Sequence, residues 1–154
     1  MQLVDILSKK SVKLNITVAS KIDLFDELLL LASLSGNIRD YELVKGSVIH
    51  RENIMTTGLG KGIALPHSKS QGVTKATAAL VTLAKPIDYG SFDNIPVSIV
   101  VMILSPNENP AIHLSLISKV ARFFQDDFNR FKVQKSKSID ELFHLLDFSK
   151  RKNK

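Results

Sequence analysis

The sequence predicts an α/β sandwich in which one β-sheet lies between two layers of helices. Segments 76–83 and 97–104 are apolar at nearly every position, which is typical of strands covered on both faces. Amphipathic helical patterns precede and follow these segments, as a layered sandwich requires. The 154 residues suit one domain, and no repeat or low-complexity block marks a boundary.

The first half of the chain predicts two helices and a loop. One helix is expected to begin at Ser20, a good N-cap, and to run to about Leu34, where Gly36 is placed to end it. Its buried face should carry Ile22, Phe25, Leu28, Leu29 and Leu31. A second helix is predicted over 40–50, followed by a loop rich in Thr and Gly over 53–61. The inward residues of that helix should be Leu43, Val44 and Val48.

The second half predicts the sheet and two more helices. A short strand is expected over 62–65, ahead of the two long apolar segments. Asn109 and Pro110 are typical of the N-cap and first residue of a helix. The inward side of that helix should carry Leu114, Ile117, Val120, Ala121 and Phe124. A last helix is predicted over 138–146, which opens with the spacing of a capping box.

Composition excludes several classes of site. The chain has no cysteine, which rules out disulfide frameworks, cysteine nucleophiles and cysteine-ligated zinc. No apolar run approaches the ~20 residues of a membrane span. Residues 1–11 lack the apolar core and cleavage site of a signal peptide. We therefore expect a cytoplasmic protein that does not insert into a membrane.

The basic charge is spread along the chain. The formal net charge is +6, and residues 149–154 form a small basic C-terminal tail. Aromatic residues make up only 6 % of the chain, and they do not alternate with basic ones as in a surface that stacks bases. No nucleic-acid binding is predicted. If the charge has a function, acidic protein partners fit it at least as well as RNA.

The densest unusual stretch is 56–68, TTGLGKGIALPHS, whose alternate glycines allow tight turns and the close approach of a bulky group. Two nucleotide-binding interpretations fail. A Walker-type loop would need Ser or Thr where Gly62 stands and glycine where Met55 stands. A dinucleotide-binding loop would need glycine in place of Ile63.

Three residues could together form a site for a phosphoryl group. His67 follows a predicted strand and a rigid proline, so its ring should be held in place. His113 should lie in the first turn of its helix, where the dipole favours a neutral imidazole and attracts an anion. Arg51 could clamp phosphate oxygens while one imidazole acts as nucleophile. Taken singly, His67 is more typical of a structural residue and His113 of a residue on a helix surface, and the sequence leaves their convergence open.

Residues 51–68, RENIMTTGLGKGIALPHS, resemble the active-site motif of enzyme IIA proteins from the fructose, mannitol and nitrogen-regulatory branch of bacterial sugar phosphotransferase systems. Segment 86–97, PIDYGSFDNIPV, places Asp93 at a matching position, to which we assign a structural role. His113-Leu114 matches a His-Leu pair at a helix start. The resemblance implies a mixed central β-sheet flanked by α-helices, with the phosphocarrier domain over 1–148.

The resemblance also implies roles for individual residues. His67 would carry the phosphoryl group, His113 would assist without being phosphorylated, and Arg51 would contact the phosphoryl group. Thr57 and Gly58 would shape the site. No metal and no organic cofactor would be needed.

The implied function is that of a phosphotransferase component. It would accept phosphate from the histidine-containing phosphocarrier protein and pass it to the cysteine of an enzyme IIB, in a fructose-type system. The alternative is a free-standing nitrogen-type regulator that binds kinases or transporters according to its phosphorylation state. Ser68 and Lys61 depart from the common pattern and leave the subfamily open. A metal-binding or hydrolytic protein using His67, His113 and Asp93 has no local chelating motif to support it.

Overall fold

The computed structural model describes residues 1–148; the predicted basic tail, 149–154, lies outside the described residues. The described part contains six helices and six strands. In chain order they are α1 (Leu3–Ile6), β1 (Leu7–Ile16), α2 (Lys21–Ser33), α3 (Tyr41–Ile54), β2 (Gly58–Gly60), β3 (Ile63–Ala64), β4 (His67–Lys69), β5 (Thr77–Ile87), β6 (Val97–Ser105), α4 (Pro110–Gln125), α5 (Asp127–Lys135) and α6 (Ile139–Phe148). None of the described helices is both long and apolar enough to cross a membrane.

All six strands form one mixed sheet in the order β1-β5-β6-β3-β2, with β4 also paired to β6. The central pair β5 and β6 is antiparallel, whereas β1 runs parallel to β5. Strands β3 and β4 both run parallel to β6 and pair with the side of β6 opposite β5, β3 beside Ile99 and β4 beside Ile103. The predicted α/β sandwich with a mixed sheet is confirmed, and the edge of β6 positions the segment 63–69.

The sheet separates two apolar clusters, one under each helical layer. Helices α2 and α3 pack on one face, and α1, α4, α5 and α6 pack on the other. Alternate residues of β6 enter the two clusters: Val100, Met102 and Leu104 face α2 and α3, whereas Ile99, Val101 and Ile103 face α4. This burial on both faces confirms the interpretation of the long apolar segments as central strands.

The three predicted helix starts are confirmed by their caps. The side chains of Ser20, Asp40 and Asn109 accept hydrogen bonds from backbone N–H groups three residues on. Because these caps satisfy donors that would otherwise have no partner, each fixes where its helix begins. The predicted last helix also forms, and it extends to Phe148.

The predicted inward orientation is wrong for three residues. Ile22, Leu43 and Leu114 are 65 %, 46 % and 65 % exposed. In each helix the buried residues form an arc, such as Leu24, Phe25, Leu28 and Ala32 in α2. At 3.6 residues per turn, each of the three exposed residues lies roughly 100° or more around its own helix from the middle of the buried arc of that helix. The apolar stripe in the sequence is therefore wider than the face that packs on the sheet.

The predicted loop over 53–61 is only partly correct. Helix α3 continues to Ile54, four residues beyond its predicted end, and β2 forms within the expected loop. Strand β2 pairs with β3 through a tight turn in which Lys61 and Gly62 have φ angles of 57° and 83°. No sequence pattern predicted α1, β1, β4 or α5.

Candidate functional site

His67 is the first residue of β4 and lies beside Ile103 of β6. The carbonyl of Pro66 accepts a hydrogen bond from the Ile103 N–H at 3.0 Å, which fixes the backbone on the amino-terminal side of the histidine. The His67 Nδ1 atom lies 2.7 Å from the Leu65 carbonyl oxygen. Since a carbonyl only accepts, Nδ1 carries the proton and Nε2 is left with its lone pair. The fold therefore presents a half-buried imidazole whose Nε2 can act as a nucleophile.

His113 occupies the first turn of α4, which Asn109 caps, and it is only 6 % exposed. Its ring centroid lies 5.6 Å from that of His67, with 56° between the ring planes. Its Nδ1 atom lies 2.7 Å from the hydroxyl of Ser105, the last residue of β6. The structure thus brings together two histidines that are 46 positions apart in the sequence.

Arg51 lies in the last turn of α3, on the opposite face of the sheet from α4. Its Nη1 donates to the Met55 carbonyl at 2.8 Å, which directs the guanidinium along the start of the glycine-rich segment. Arg51 is close enough to His67 for its positive charge to lower the pKa of that imidazole. His67 and His113 therefore lie side by side at one edge of the sheet, and Arg51 is near enough to act on His67 through its charge.

The environment keeps both imidazoles neutral. Burial lowers the pKa of His67; the hydrogen bond to Leu65 opposes this effect, Arg51 adds to it, and the negative charge of Glu52 partly offsets it. Burial, followed by the proximity of His67 and Lys69, lowers the pKa of His113 to about 4. At pH 7 both rings are therefore predominantly uncharged, which is the state that a nucleophile and a neutral hydrogen-bond donor require.

Thr57 and Gly58 hold the turn that borders the site. Thr57 is buried, and both its N–H and its hydroxyl donate to the carboxylate of Glu52. A Cβ atom on Gly58 would lie 2.1 Å from the hydroxyl oxygen of Ser91, so a larger residue would have to displace the loop around Ser91. These contacts are structural, and the role of both residues in shaping a phosphoryl site stays a prediction.

Behind this turn lies a partly buried ion pair that was not predicted from the sequence. Glu52 is 8 % exposed, and its carboxylate accepts from Lys21 Nζ at 2.8 Å and from the Thr57 N–H at 3.0 Å. The hydroxyl groups of Thr57 and Tyr89 lie 2.8 Å apart, and Tyr89 also contacts Glu52. Lys21 Nζ donates to the Tyr89 carbonyl and lies 4.0 Å from the centre of the Tyr89 ring. A signal was available, because Glu52 continues the buried row of Val44 and Val48 at a spacing of four.

Asp93 has a structural role, as expected from the sequence. Its two carboxylate oxygens accept from the N–H groups of Lys61 at 2.7 Å and Ile95 at 3.0 Å. These bonds tie the loop that follows β5 to the β2–β3 turn. Among residues 1–148 no group of three or more His, Asp and Glu side chains is arranged to hold a metal ion.

Large apolar side chains are exposed on the segments that carry the site. They lie at the end of α3, in β2, in the loop around Asp93 and in the first turns of α4: Ile54, Met55, Leu59, Phe92, Ile95, Ile112 and Leu114. Phe92 is the most exposed of them, at 77 %. Large apolar side chains are also exposed on α2 and α5, such as Leu30 and Phe131, so these residues mark a candidate binding surface and not a unique one.

Comparison with known proteins identifies the family. The sequence profile described as "Phosphoenolpyruvate-dependent sugar phosphotransferase system, EIIA 2" matches residues 5–148. The fructose-specific EIIA component of Haloferax volcanii is 32 % identical over 83 % of each chain. The crystal structure of nitrogen regulatory protein IIA-Ntr from Neisseria meningitidis superposes with a TM-score of 0.86 and 31 % identity, over 92 % of this chain and 97 % of that one.

Some relatives are much longer than this chain. The fructose-specific EIIABC component of Bacillus subtilis is 27 % identical over 96 % of this chain, which spans only 23 % of that protein's length. The match is therefore to one part of a larger protein.

Proposed function

The chain belongs to the EIIA 2 family of the phosphoenolpyruvate-dependent sugar phosphotransferase system, and from this we propose that it is a phosphocarrier that takes a phosphoryl group on His67. One observation carries the assignment: the Leu65 carbonyl holds the proton of His67 on Nδ1, so Nε2 is free to attack phosphorus. The described residues, 1–148, form the phosphocarrier domain.

In the proposed reaction, His67 Nε2 attacks a phosphohistidine on the donor protein in line with the N–P bond. A new N–P bond forms on His67 while the donor's N–P bond breaks and its electron pair returns to the donor imidazole. The Nδ1 proton stays on His67, where the Leu65 carbonyl stabilises the positive charge that develops on the ring. Arg51 neutralises charge on the phosphoryl oxygens and the neutral His113 ring donates a hydrogen bond to them, so catalysis consists mainly of positioning and electrostatics.

We propose two successive protein partners. The donor is the histidine-containing phosphocarrier protein, and the acceptor is the cysteine of an enzyme IIB protein or domain. The exposed apolar residues around His67 support binding to proteins, and the name of the B. subtilis relative joins an A part to B and C parts. The proposed location is the cytoplasm, and the proposed system is of fructose type because two of the relatives are named fructose-specific.

A regulatory role is the second candidate, and the similarity to the N. meningitidis IIA-Ntr structure favours it. In that case the same phosphohistidine would control binding to kinases or transporters rather than passing the group to a permease. Neighbouring genes distinguish the two outputs, since an adjacent permease supports transport and its absence supports regulation.

The test is the intact mass of the protein after incubation with phosphoenolpyruvate, enzyme I and the histidine-containing carrier. Wild type should gain one acid-labile phosphate, and His67→Ala should gain none. His144→Ala, which removes an exposed histidine from α6, is the matched control and should be phosphorylated normally. Wild type that gains no phosphate from competent donors would overturn the proposal, as would a His67→Ala variant that still gains it.

A further inference from the structure

Ser105 is held rigidly between the two elements that carry the site histidines. It is the last residue of β6, is 3 % exposed, and lies beside Lys69 of β4 in the sheet register. Its carbonyl accepts from the N–H of Ser70 at 3.0 Å. Because its backbone is fixed in the sheet, its hydroxyl has a defined position next to the first turn of α4.

The hydroxyl of Ser105 can donate its proton in only one direction. It lies 2.7 Å from His113 Nδ1, which is its only hydrogen-bond partner among residues 1–148. If Nδ1–H donated to the serine, the hydroxyl proton would be buried without an acceptor, which is unfavourable. Ser105 therefore donates to Nδ1, and the single proton of the neutral His113 ring is on Nε2.

We propose that Ser105 is a positioning residue for phosphoryl transfer: it holds His113 in the tautomer whose Nε2–H donates to the phosphoryl group on His67. This inference rests on the proposed function. The Leu65 carbonyl fixes the proton of His67 on Nδ1, and the Ser105 hydroxyl fixes the proton of His113 on Nε2. The two neighbouring imidazoles are thereby set to opposite tautomers, so one presents a lone pair to phosphorus and the other presents a donor to its oxygens.

The opposite tautomer of His113 would impair the reaction. A bare Nε2 would present a lone pair to a dianionic phosphoryl group, and this repulsion would oppose transfer. Ser105→Ala removes the group that distinguishes the two ring nitrogens of His113, and it leaves His67 and Arg51 in place. The effect should fall on the rate with bound donor rather than on donor binding.

The first measurement uses the full 154-residue chain in its unphosphorylated form, labelled with ¹⁵N-histidine, near pH 7. The ring ¹⁵N chemical shifts should show His113 protonated on Nε2 and His67 protonated on Nδ1. A His113 ring protonated on Nδ1 would overturn the inference. Because this readout needs no phosphoryl transfer, it decides the tautomer even if the proposed function fails.

The second measurement is the rate of phosphorylation at saturating donor for four proteins: wild type, Ser105→Ala, Ser105→Thr and Ser11→Ala. Ser105→Ala should be slower by about tenfold to a hundredfold, the range found when a group that orients a metal-bound histidine is removed, with KM nearly unchanged. Ser105→Thr keeps the hydroxyl and should restore most of the rate. Ser11→Ala removes an equally buried serine in β1, whose hydroxyl donates to the Leu31 carbonyl of α2, so it controls for loss of a buried hydrogen bond away from the site.

The outcomes separate the two proposals. A folded Ser105→Ala with the wild-type rate and an unchanged His113 spectrum overturns the role of Ser105. If Ser105→Ala does not fold, the wild-type spectrum and the rate of Ser105→Thr decide, and a Thr variant as inactive as His67→Ala counts against the inference. If wild type itself takes no phosphate, the phosphocarrier function fails while the tautomer assignment stands or falls by its own spectrum.

Discussion

Glu52→Gln should lower the free energy of unfolding by more than the removal of a surface ion pair would. Every group that contacts this carboxylate is a donor: Lys21 Nζ, the N–H and hydroxyl of Thr57, and the Tyr89 hydroxyl. Glutamine offers one acceptor oxygen in place of two, and its NH₂ group would face donors. The ammonium of Lys21 would also lose its charged partner in a partly buried position.

The expected loss of stability is about 3 kcal/mol. Removing one partner of a buried pair costs about 3–5 kcal/mol, and the lower end applies because the Lys21 side chain remains 30 % exposed. With a slope of about 2 kcal/mol per molar urea, the unfolding midpoint should fall by about 1.5 M. The matched control is Glu27→Gln, because Glu27 pairs with a Lys13 side chain that is 53 % exposed, and this change should cost less than about 1 kcal/mol.

The assay is urea unfolding followed by far-ultraviolet circular dichroism at pH 7 and again below pH 4.5. Burial raises the pKa of Glu52, but the hydrogen bonds from Lys21 and Thr57 outweigh it and hold this pKa below the usual 4.5. The carboxylate therefore contributes stability above pH 4.5, and this contribution is lost as the pH falls through the folded-state pKa. The difference in urea midpoint between wild type and Glu52→Gln should therefore be smaller below pH 4.5 than at pH 7. Equal midpoint shifts for Glu52→Gln and Glu27→Gln at pH 7 would refute the reasoning.

Two further predictions concern the histidine pair and the turn. The pKa of His113 is about 6.5 in the unfolded chain and is lowered to about 4 in the folded chain. Between these pH values His113 is protonated only in the unfolded chain, so the free energy of unfolding of wild type should decrease as the pH falls from 6.5 to 4. The urea midpoint of a His113→Asn variant should fall less over the same range, and parallel curves would contradict the assignment. Gly58→Ala should cost about 1–3 kcal/mol because its Cβ would meet Ser91, whereas Gly46→Ala, with nothing within 4 Å, should stabilise α3 by about 0.5–1 kcal/mol. Gly58→Ala/Ser91→Gly should recover most of the loss, and a Gly58→Ala protein as stable as wild type would exclude the clash.

Segments with a strong period or cap were predictable from the sequence. The caps of α2, α3 and α4 and the two central strands follow directly from local chemistry. Strand β1 was missed because its sequence, LSKKSVKLNI, mixes lysines with apolar residues, as an edge strand with exposed positions allows. Strand β4 has only three residues, and α5 has a mainly polar sequence, so neither gives a periodic signal.

The residue types of the candidate site could be singled out from the sequence, whereas the contacts that support them could not. His67, His113 and Arg51 stand out because of unusual neighbours, whereas a glutamate in a helix is usually a solvated residue. Nothing local shows that Lys21, 31 positions earlier, pairs with Glu52. The contact between Ser105 and His113 likewise depends on how β6 ends against α4, which is a tertiary property.

The site draws Arg51 from one helical layer and His113 from the other, with His67 on a strand between them. A partly folded chain in which either layer has come away from the sheet would keep at most two of the three groups. Under the proposed function, the chain would therefore accept a phosphoryl group only when both helical layers are packed on the sheet. In an unfolding titration, phosphoryl acceptance should be lost when the first of the two layers detaches. A phosphorylation assay would therefore measure the stability of the weaker of the two interfaces between helices and sheet.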